Sequence, residues 1–427
     1  MKFLLLNQCF YPDVVATAQH LTDLARELSA RGHEVTVIAS DRGYDDPRTR
    51  FPRHETSNNI RIIRIPSLSL GKSSRWRRAL NFASFAIMCA LRLLVLQRLD
   101  VVVALTSPPL ISFLGALFAR LKGGRFCFWV MDLNPDEAIA AGWLDENSST
   151  ARVLKWMLRY SLKEADRTIV LDRFMKDRVL AKGVDVKRVT VIPPWSRDDV
   201  VSFSREGREA FREEHGLVDR FVVMYSGNHS PCHPLDTLLH AAVKLRTRSD
   251  IVFCFIGGGS EHAKVQEFAL HHSLANVRCL PSQPLDQVSN SLSAADLHVV
   301  VMGNAFVGIV HPSKLYNILS IGAPALYIGP TPSHISDLAL PLIHKGHTDV
   351  DGVSDAIAQA SCQPTRTNYP TQIFKKEMLL PQLLSAIEGD SVENLFRPVS
   401  DRDQRFADYH SGDSAALPAL QVTRHPN

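Results

Sequence analysis

Short apolar runs alternate with segments of helical spacing along most of the 427 residues, and this alternation constrains the fold most strongly. Residues 2–6 are a compact apolar run, residues 18–31 carry apolar side chains at helical spacing, and residues 34–39 form the next apolar run. Strands that alternate with helices form parallel sheets covered on both faces. The sequence therefore predicts an α/β protein with two Rossmann-like, doubly wound domains that face a cleft.

A stiff connection divides the two series of strands and helices. The run Pro193-Pro194-Trp195 is non-helical, and a second series starts with the apolar run 221–225. A chain of this length usually holds more than one domain. The predicted parts are an N-terminal acceptor-side domain (1–194), a C-terminal donor domain (195–372), a C-terminal helix that returns to the N-terminal domain (373–388) and a loosely ordered polar tail (389–427).

Composition and cysteine usage favour a protein of a reducing compartment. The net charge of +4 is too small to indicate nucleic-acid binding. Seven scattered cysteines without a repeated C-x-x-C spacing are typical of buried thiols. The apolar run 79–91 is shorter than the ~20 residues of a membrane span. We expect a cytoplasmic protein, with no transmembrane segment and no signal peptide.

Two glycine turns and one lysine indicate an anion site in the second half. Gly227 and the run 257–259 each follow a predicted buried strand, where backbone N–H groups can approach a phosphate. Pro312 is expected in the first helical turn with Lys314 beside it. A lysine there opposes the helix dipole unless an anion is bound, although a solvated surface lysine is the alternative. Neither turn fits a dinucleotide or Walker motif.

These motifs resemble a known family. The segment His-Pro-Ser-Lys-Leu-Tyr-Asn at 311–317, before Gly322-Ala323-Pro324, resembles the donor-site helix of retaining GT-B glycosyltransferases of family four, in their bacterial surface-polysaccharide branch. The resemblance covers most of the chain. Further matches are Phe10-Tyr11-Pro12, Gly32-His33-Glu34-Val35, Asp132-Leu133-Asn134-Pro135, Tyr225-Ser226-Gly227-Asn228 and Ile256-Gly257-Gly258-Gly259.

The resemblance implies transfer of a sugar from a nucleotide-sugar donor to a growing, lipid-linked glycan, with retention and without a metal or other cofactor. Asp132 and Lys314 are the implied catalytic residues, with Asp132 as a turn cap the alternative. The implied donor-binding residues are Gly227, Asn228, His229, Gly257, Gly258, Gly259, His311, Pro312, Ser313, Lys314, Tyr316 and Asn317. Tyr11, Thr17 and Asn134 are implied on the acceptor side.

The sequence departs from the family pattern at two places. The usual pair of glutamates, seven residues apart, would fall on Ile309 and Asn317. The family's lysine after the first glycine turn is replaced by the run Cys232-His233-Pro234, so Lys314 would carry more of the diphosphate charge, with His229. We predict no metal site, since no Asp-x-Asp motif lies in a donor loop; zinc bound by His229, Cys232 and His233 is a weaker alternative.

A basic-aromatic cluster predicts contact with an anionic membrane. Arg75, Arg77 and Arg78 surround Trp76 and precede an apolar helix. Such a cluster suits the inner leaflet of a membrane, and a basic loop before an ordinary core helix is the alternative.

Two other functions stay open. The substituted glutamates fit a non-catalytic subunit that binds nucleotide sugars, and a nucleotide-sugar 2-epimerase shares the architecture. Serine hydrolase chemistry at Ser107 lacks a G-x-S-x-G setting. The sugar, the base, the acceptor and the linkage are not encoded in any motif.

Overall fold

Two β-sheets organise the computed structural model, one in each half of the chain. The model describes residues 1–43, 48–68, 70, 75–197, 200–338, 340–362, 367, 369 and 371–389. The predicted polar tail lies outside the described residues beyond Gly389. The described residues of both halves pack as one unit.

The first sheet has eight strands in the order β3-β4-β2-β1-β5-β6-β7-β8, all parallel except β3. Its strands are β1 (Lys2–Leu6), β2 (Glu34–Ser40), β3 (His54–Ser57), β4 (Ile60–Ile65), β5 (Val101–Ala104), β6 (Arg125–Trp129), β7 (Arg167–Val170) and β8 (Val189–Val191). The helices between them are α1 (Ala16–Ala30), α2 (Arg75–Val95), α3 (Ile111–Lys122), α4 (Asp136–Ala140), α5 (Ser149–Glu164) and α6 (Arg173–Leu180).

The second sheet has six parallel strands in the order β11-β10-β9-β12-β13-β14. They are β9 (Phe221–Ser226), β10 (Ile251–Ile256), β11 (Val277–Leu280), β12 (Leu297–Val301), β13 (Ala325–Ile328) and β14 (Ile343–Lys345). The helices are α7 (Arg205–Glu214), α8 (Asp236–Lys244), α9 (His262–His271), α10 (Val288–Ser293), α11 (Lys314–Ile321), α12 (His334–Asp337), α13 (Val350–Cys362) and α14 (Lys376–Glu388). The predicted fold class is confirmed.

Strand order places the ligand-binding edge of each sheet. In the first sheet the order reverses between β1 and β5, and in the second between β9 and β12. Doubly wound sheets bind ligands beyond the carboxyl ends of the strands at such a reversal. The central strands are buried on both faces, as in Phe253 and Val299, so the loops after them hold the accessible polar groups.

The connection between the sheets packs against the first half. Trp195 is buried, and its indole N–H donates to Asp23 over 2.9 Å. The helix α14 also lies against the first sheet, where Arg125 donates to the carbonyl of Glu388 over 2.5 Å. The chain thus enters the second sheet after 195 and returns to the first with its last described helix.

The helix α2 has two unlike faces. Phe85, Cys89 and Leu93 are buried on the side toward the rest of the first half. The opposite side exposes large apolar residues at helical spacing, namely Trp76, Leu80, Ile87, Leu91, Leu94 and Val95. Residues 76–95 are long and apolar enough to cross a membrane by length and composition, with 17% of the most apolar window buried. The helix thus extends beyond the apolar run 79–91 at both ends and continues past Arg92.

All seven cysteines are free thiols. Five of them are buried, and burial raises the pKa of Cys89 and of Cys127 to about 12. These thiols act as core side chains, as the sequence indicated.

Candidate active site

One large cleft lies at the carboxyl ends of both sheets and has a volume of about 1580 Å³. Loops after the first and fifth strands reach it through Gln8 and Thr106, and loops after the ninth and tenth through Ser226 and Gly257. Predicted site residues on its wall are Thr17, Asp132, Asn134, Gly227, Asn228, Gly257, Gly258, Gly259, His311, Pro312, Ser313, Lys314 and Asn317. The geometry thus brings most of the sequence-predicted residues together.

Lys314 is the first residue of α11, so the helix begins two residues later than predicted and Pro312 precedes it. Its Nζ atom is buried and lacks a hydrogen-bond partner among the described residues. The ammonium lies 3.7 Å from the ring centroid of Tyr225, a cation–π contact. Burial lowers the pKa of Lys314 to about 7. An unpaired buried cation at a helix N-terminus has the properties of an anion site without its anion.

The two glycine turns contact each other as well as the cleft. Gly227 has a φ of 140°, and a Cβ there would lie 3.0 Å from both Cε and Nζ of Lys314. Gly257 has a φ of 133°, and a Cβ there would lie 2.1 Å from the carbonyl oxygen of Gly227. Gly257 is therefore required because the second turn packs directly on the first, and Gly227 because the Lys314 side chain packs on it.

Three predicted residues lie outside the cleft wall. His229 is fully buried, and its Nδ1–H donates to the carbonyl of Gly227 over 3.0 Å. Burial, with the charges of His262 and Lys314, lowers its pKa to about 4, so the ring is neutral and offers an acceptor rather than a cation. In this structure its hydrogen bond fixes the first glycine turn. Tyr316 lies on the buried face of α11. Tyr11 is exposed at the surface and does not line the cleft.

A buried residue whose backbone joins the two halves occupies the position of the family's first glutamate. Ile309 is buried, and its carbonyl accepts a hydrogen bond of 2.9 Å from the backbone N–H of Leu133. Asn317, at the position of the second glutamate, lies on the cleft wall. The loop that holds Asp132 is thus joined to the loop that precedes the donor helix.

A carboxylate that the sequence reading missed lies beside Asp132. Glu137, in α4, accepts from the amide of Asn134 over 2.9 Å and has the thiol of Cys232 at 3.8 Å from its Oε1. Burial, then the charge of Glu137, raises the pKa of Asp132 to about 8, and burial raises that of Glu137. The two acids hold a proton more readily than isolated carboxyls. The spacing Asp-x4-Glu directly after a predicted strand is the sequence signal that could have indicated this pair of carboxylates.

Arg78 belongs to the cleft rather than to an outer basic surface. Its guanidinium lies 5.0 Å from the ring centroid of Trp143, and its charge acts to lower the pKa of Glu137. Two helical positions separate it from Trp76, which places them on different sides of α2. Trp76 and Arg77 are exposed, with Arg77 over the Trp76 ring at 5.4 Å. The side chain of Arg75 lies outside the described residues.

The alternative zinc set is not assembled. The ring of His233 donates from Nδ1 to the carbonyl of Val301 over 2.6 Å, and His229 and Cys232 contact Gly227 and Glu137. Within the described ranges, the group whose ligand atoms do converge, all within 4.8 Å, is Asp172, His311 and His334. Asp172 is far from the two histidines along the chain, and no local motif indicated the three residues as a group.

His311 links this group to the donor helix. Its Nδ1 lies 2.9 Å from the Asp172 carboxylate and its Nε2 lies 2.7 Å from the Tyr316 hydroxyl. Burial acts to raise the pKa of Asp172, but the His311 hydrogen bond and the charges of His334 and His311 outweigh it and lower that pKa. Burial, with the charge of His311, lowers the pKa of His334 to about 3.

Two family models match in series. The glycosyl transferase 4-like domain matches residues 16–195, and the glycosyl transferases group 1 model matches residues 207–326. The chain belongs to the family-four glycosyltransferases of the GT-B fold.

Curated and solved relatives agree with that assignment. The glycosyltransferase is 25% identical over 416 residues to the putative colanic acid biosynthesis glycosyl transferase WcaI of Escherichia coli, covering 91% of this chain and 100% of the relative. The sucrose-phosphate synthase of Thermosynechococcus elongatus superposes with a TM-score of 0.69 at 15% identity, over 90% and 98% of the two chains. HepE of Anabaena, solved with UDP-glucose, gives 0.66 at 14% identity over 91% and 99%.

Proposed function

We propose that this glycosyltransferase takes a sugar from a nucleoside-diphosphate sugar bound between the glycine turns and the N-terminus of α11. The observation that carries the proposal is the buried, unpartnered ammonium of Lys314 on the cleft wall. A diphosphate would supply the anion that this cation lacks. The UDP-glucose in the HepE structure supports a donor of this class.

Charge stabilisation of the leaving group accounts for transfer without a metal at the diphosphate. When the bond between the anomeric carbon and the diphosphate oxygen breaks, its electron pair stays on that oxygen. Lys314 and the backbone N–H groups at the start of α11 would stabilise the added negative charge. A divalent ion does this work in other sites, and we propose that the lysine and the helix replace it here.

We propose that Glu137 and Asp132 contact the transferred sugar and the acceptor in place of the family's first glutamate. Ile309 cannot supply a hydrogen bond from its side chain, whereas Glu137 reaches the same cleft from the opposite half. An ionised carboxylate there would stabilise positive charge that develops on the sugar ring. Its proximity to Asp132 allows one proton to be shared between the two acids. The acceptor hydroxyl would bond to the anomeric carbon on the face from which the diphosphate departs, with retention of configuration, and its proton would pass to the departing diphosphate oxygen.

We propose a lipid-linked glycan as acceptor, reached by docking of α2 on the inner face of the membrane. The supporting observation is the exposed apolar side of α2, on which Ile87 is 62% and Val95 71% exposed. Trp76 and Arg77 stand at one end of that side, a combination suited to the headgroup region. WcaI, named for colanic acid biosynthesis, is consistent with an acceptor of this class. The donor site would then lie in the cytoplasm.

The experiment is a thermal-shift screen of the full chain with UDP-, GDP- and ADP-sugars. An assay of sugar transfer to a lipid-linked acceptor, isolated by lipid extraction, follows. A ligand at 100 times its dissociation constant adds about 2.7 kcal/mol of stability, which identifies the donor. Nuclear magnetic resonance of the product then gives its anomeric configuration. Transfer with retention supports the proposal, and inversion contradicts it. Donor binding with neither transfer nor hydrolysis would indicate a non-catalytic subunit, and an altered sugar epimer formed without acceptor would indicate an epimerase.

A further inference from the structure

Three ligand-type side chains from both halves of the chain converge in a buried site beside the donor helix. Asp172 follows β7, His311 precedes α11, and His334 begins α12. Their side chains are 7%, 3% and 3% exposed. The Asp172 Oδ2 atom lies 2.9 Å from Nδ1 of His311 and 3.7 Å from Nδ1 of His334. One carboxylate oxygen thus faces two imidazole nitrogens.

His334 has no hydrogen-bond partner that explains its burial. Neither of its ring nitrogens makes a hydrogen bond to another described residue. Its ring instead stacks on that of His311, with 4.0 Å between the centroids. Buried imidazole nitrogens normally make a hydrogen bond. A ring nitrogen that makes none is available to bind a metal ion, since neutral imidazole is a common metal ligand.

The groups around the three residues are arranged as an outer shell of a metal site would be. The second nitrogen of His311, Nε2, pairs with the hydroxyl of Tyr316 at 2.7 Å. The other oxygen of Asp172, Oδ1, accepts from the backbone N–H of Met175 over 2.8 Å. Metal-ligating histidines and carboxylates are oriented by such contacts at the atoms that do not face the ion. Oδ2 of Asp172 and Nδ1 of His311 are left to each other, 2.9 Å apart and beside Nδ1 of His334, and a bound ion would replace the hydrogen bond between them.

We propose that Asp172, His311 and His334 bind one divalent transition-metal ion, with zinc the best match, that clips the two halves of the enzyme together. Imidazole nitrogen and carboxylate oxygen are both zinc ligands, and three protein ligands leave one tetrahedral position open. The ion is distinct from any metal on the donor diphosphate, whose charge Lys314 balances in the proposed reaction.

Neighbouring contacts show why an ion here would hold the halves in one arrangement. Arg173, next to Asp172 in the chain, forms an ion pair with Asp337, which lies in the same short helix as His334. This ion pair also joins the two halves. Gly308 lies so close to Phe174 that an added Cβ would be 2.6 Å from its backbone. The nitrogen Nε of Arg178 donates to the carbonyl of Val307 over 2.7 Å. Zinc would complete this contact between α6 and the loops before α11 and α12.

The experiment measures zinc binding by the purified full chain without donor or acceptor, so its outcome is independent of transfer. Metal content is measured on the protein as isolated, and the chelator-stripped protein is then titrated with zinc alone against a chromophoric competitor. We expect one equivalent of tightly bound zinc, and Co²⁺ in its place should give the visible bands of a tetrahedral site. His334→Gln and Asp172→Asn should weaken zinc by more than the roughly 10–100-fold that loss of an outer-shell partner costs.

Two controls keep the result interpretable. His271→Gln removes an exposed histidine next to His272 and should leave zinc affinity unchanged. Asp172→Asn keeps an acceptor for the Met175 N–H, so one ligand variant retains the helix cap if His334→Gln fails to fold.

Tyr316→Phe removes the hydroxyl that pairs with His311 and should weaken zinc binding by roughly 10–100-fold. Wild type that binds no zinc, or ligand variants that bind it as well as wild type does, would overturn the proposal.

Discussion

The two walls of the cleft differ in how their polar side chains are distributed along the chain. On the second half, the glycine turns and Lys314 belong to compact motifs that each follow a strand or open a helix. On the first half, Asp132 and Glu137 belong to one short segment after β6, whereas Arg78 comes from α2 and meets them only in the folded protein. The donor wall can therefore be recognised from local patterns, whereas the wall facing the sugar and acceptor depends on tertiary packing.

The charges of the two walls also differ. The donor wall holds the ammonium of Lys314, which has no hydrogen-bond partner among the described residues, and burial lowers its pKa to about 7. The opposite wall holds two acids whose pKa values are raised by burial, and the charge of Glu137 raises that of Asp132 further. A diphosphate suits the first environment, and sugar hydroxyls or an acceptor hydroxyl suit the second. We therefore propose that one half binds the leaving group and the other recognises the sugar.

The largest effect is expected on the acidic wall. Glu137→Gln removes a charge that would stabilise the developing positive sugar, so turnover should fall about 100-fold, the scale of losing one electrostatic stabiliser. Affinity for the nucleoside diphosphate alone should not change, since that group lies on the other wall. Steady-state transfer and calorimetric binding separate the two. Glu146→Gln, at an exposed glutamate paired with Lys155, is the matched control. A normal turnover in Glu137→Gln would remove this residue from the reaction.

The next effect is a pH dependence that belongs to the cationic wall. Below about pH 7 Lys314 is already protonated in the free enzyme, whereas above it the proton must be regained on binding. Affinity for a nucleotide sugar should therefore fall up to about tenfold per pH unit above 7. Titration calorimetry across this range should give a flat profile for Lys314→Gln. The fall of affinity above pH 7 should persist in Asp132→Asn, which removes a carboxyl whose pKa is also raised. If the fall disappears in that variant, the acids rather than Lys314 cause it.

The sequence predicted the interior more accurately than the cleft. β1 has its predicted bounds, and β2 and β9 each end one residue later than predicted, because an apolar run defines each of these strands. The charged helix α7 and the polar edge strand β3 were missed because neither has a clear apolar period. Arg78 was assigned to the membrane surface because a sequence cluster does not show which helix face each residue occupies. Asp172 and His311 are 139 residues apart, so only the fold reveals their contact.

A smaller effect concerns the outer face of the first half. Replacing Arg77 with glutamine should lower partition onto anionic vesicles about fivefold, since one basic residue near such a surface is worth about 1 kcal/mol. Ile87→Gln should lower it further by removing apolar area from the exposed side of α2. Vesicle sedimentation at low salt measures both changes. Arg246→Gln, at an exposed arginine of the second half, should have no effect. Unchanged sedimentation of the Arg77→Gln and Ile87→Gln double variant would rule out docking through α2.

The smallest expected effect is that of removing magnesium and manganese. If Lys314 and α11 balance the diphosphate, turnover should be unchanged when neither ion is present. Assays in EDTA with separate additions of each metal test this. Activity restored by magnesium or manganese would contradict the account of the donor wall. Activity restored only by zinc would point to Asp172, His311 and His334 and leave the role of Lys314 intact.

The most direct measurement compares nucleoside and nucleoside diphosphate binding by wild type and Lys314→Gln. Loss of a charge-assisted contact costs about 1.5–3 kcal/mol, so the variant should bind the diphosphate of the preferred nucleoside roughly 10–150-fold more weakly. Affinity for the nucleoside itself should stay the same, because it lacks the anion that pairs with the ammonium. Calorimetry at pH 6.5, roughly where the lysine is protonated, measures both. Equal diphosphate affinity in variant and wild type would contradict the assignment of the donor site.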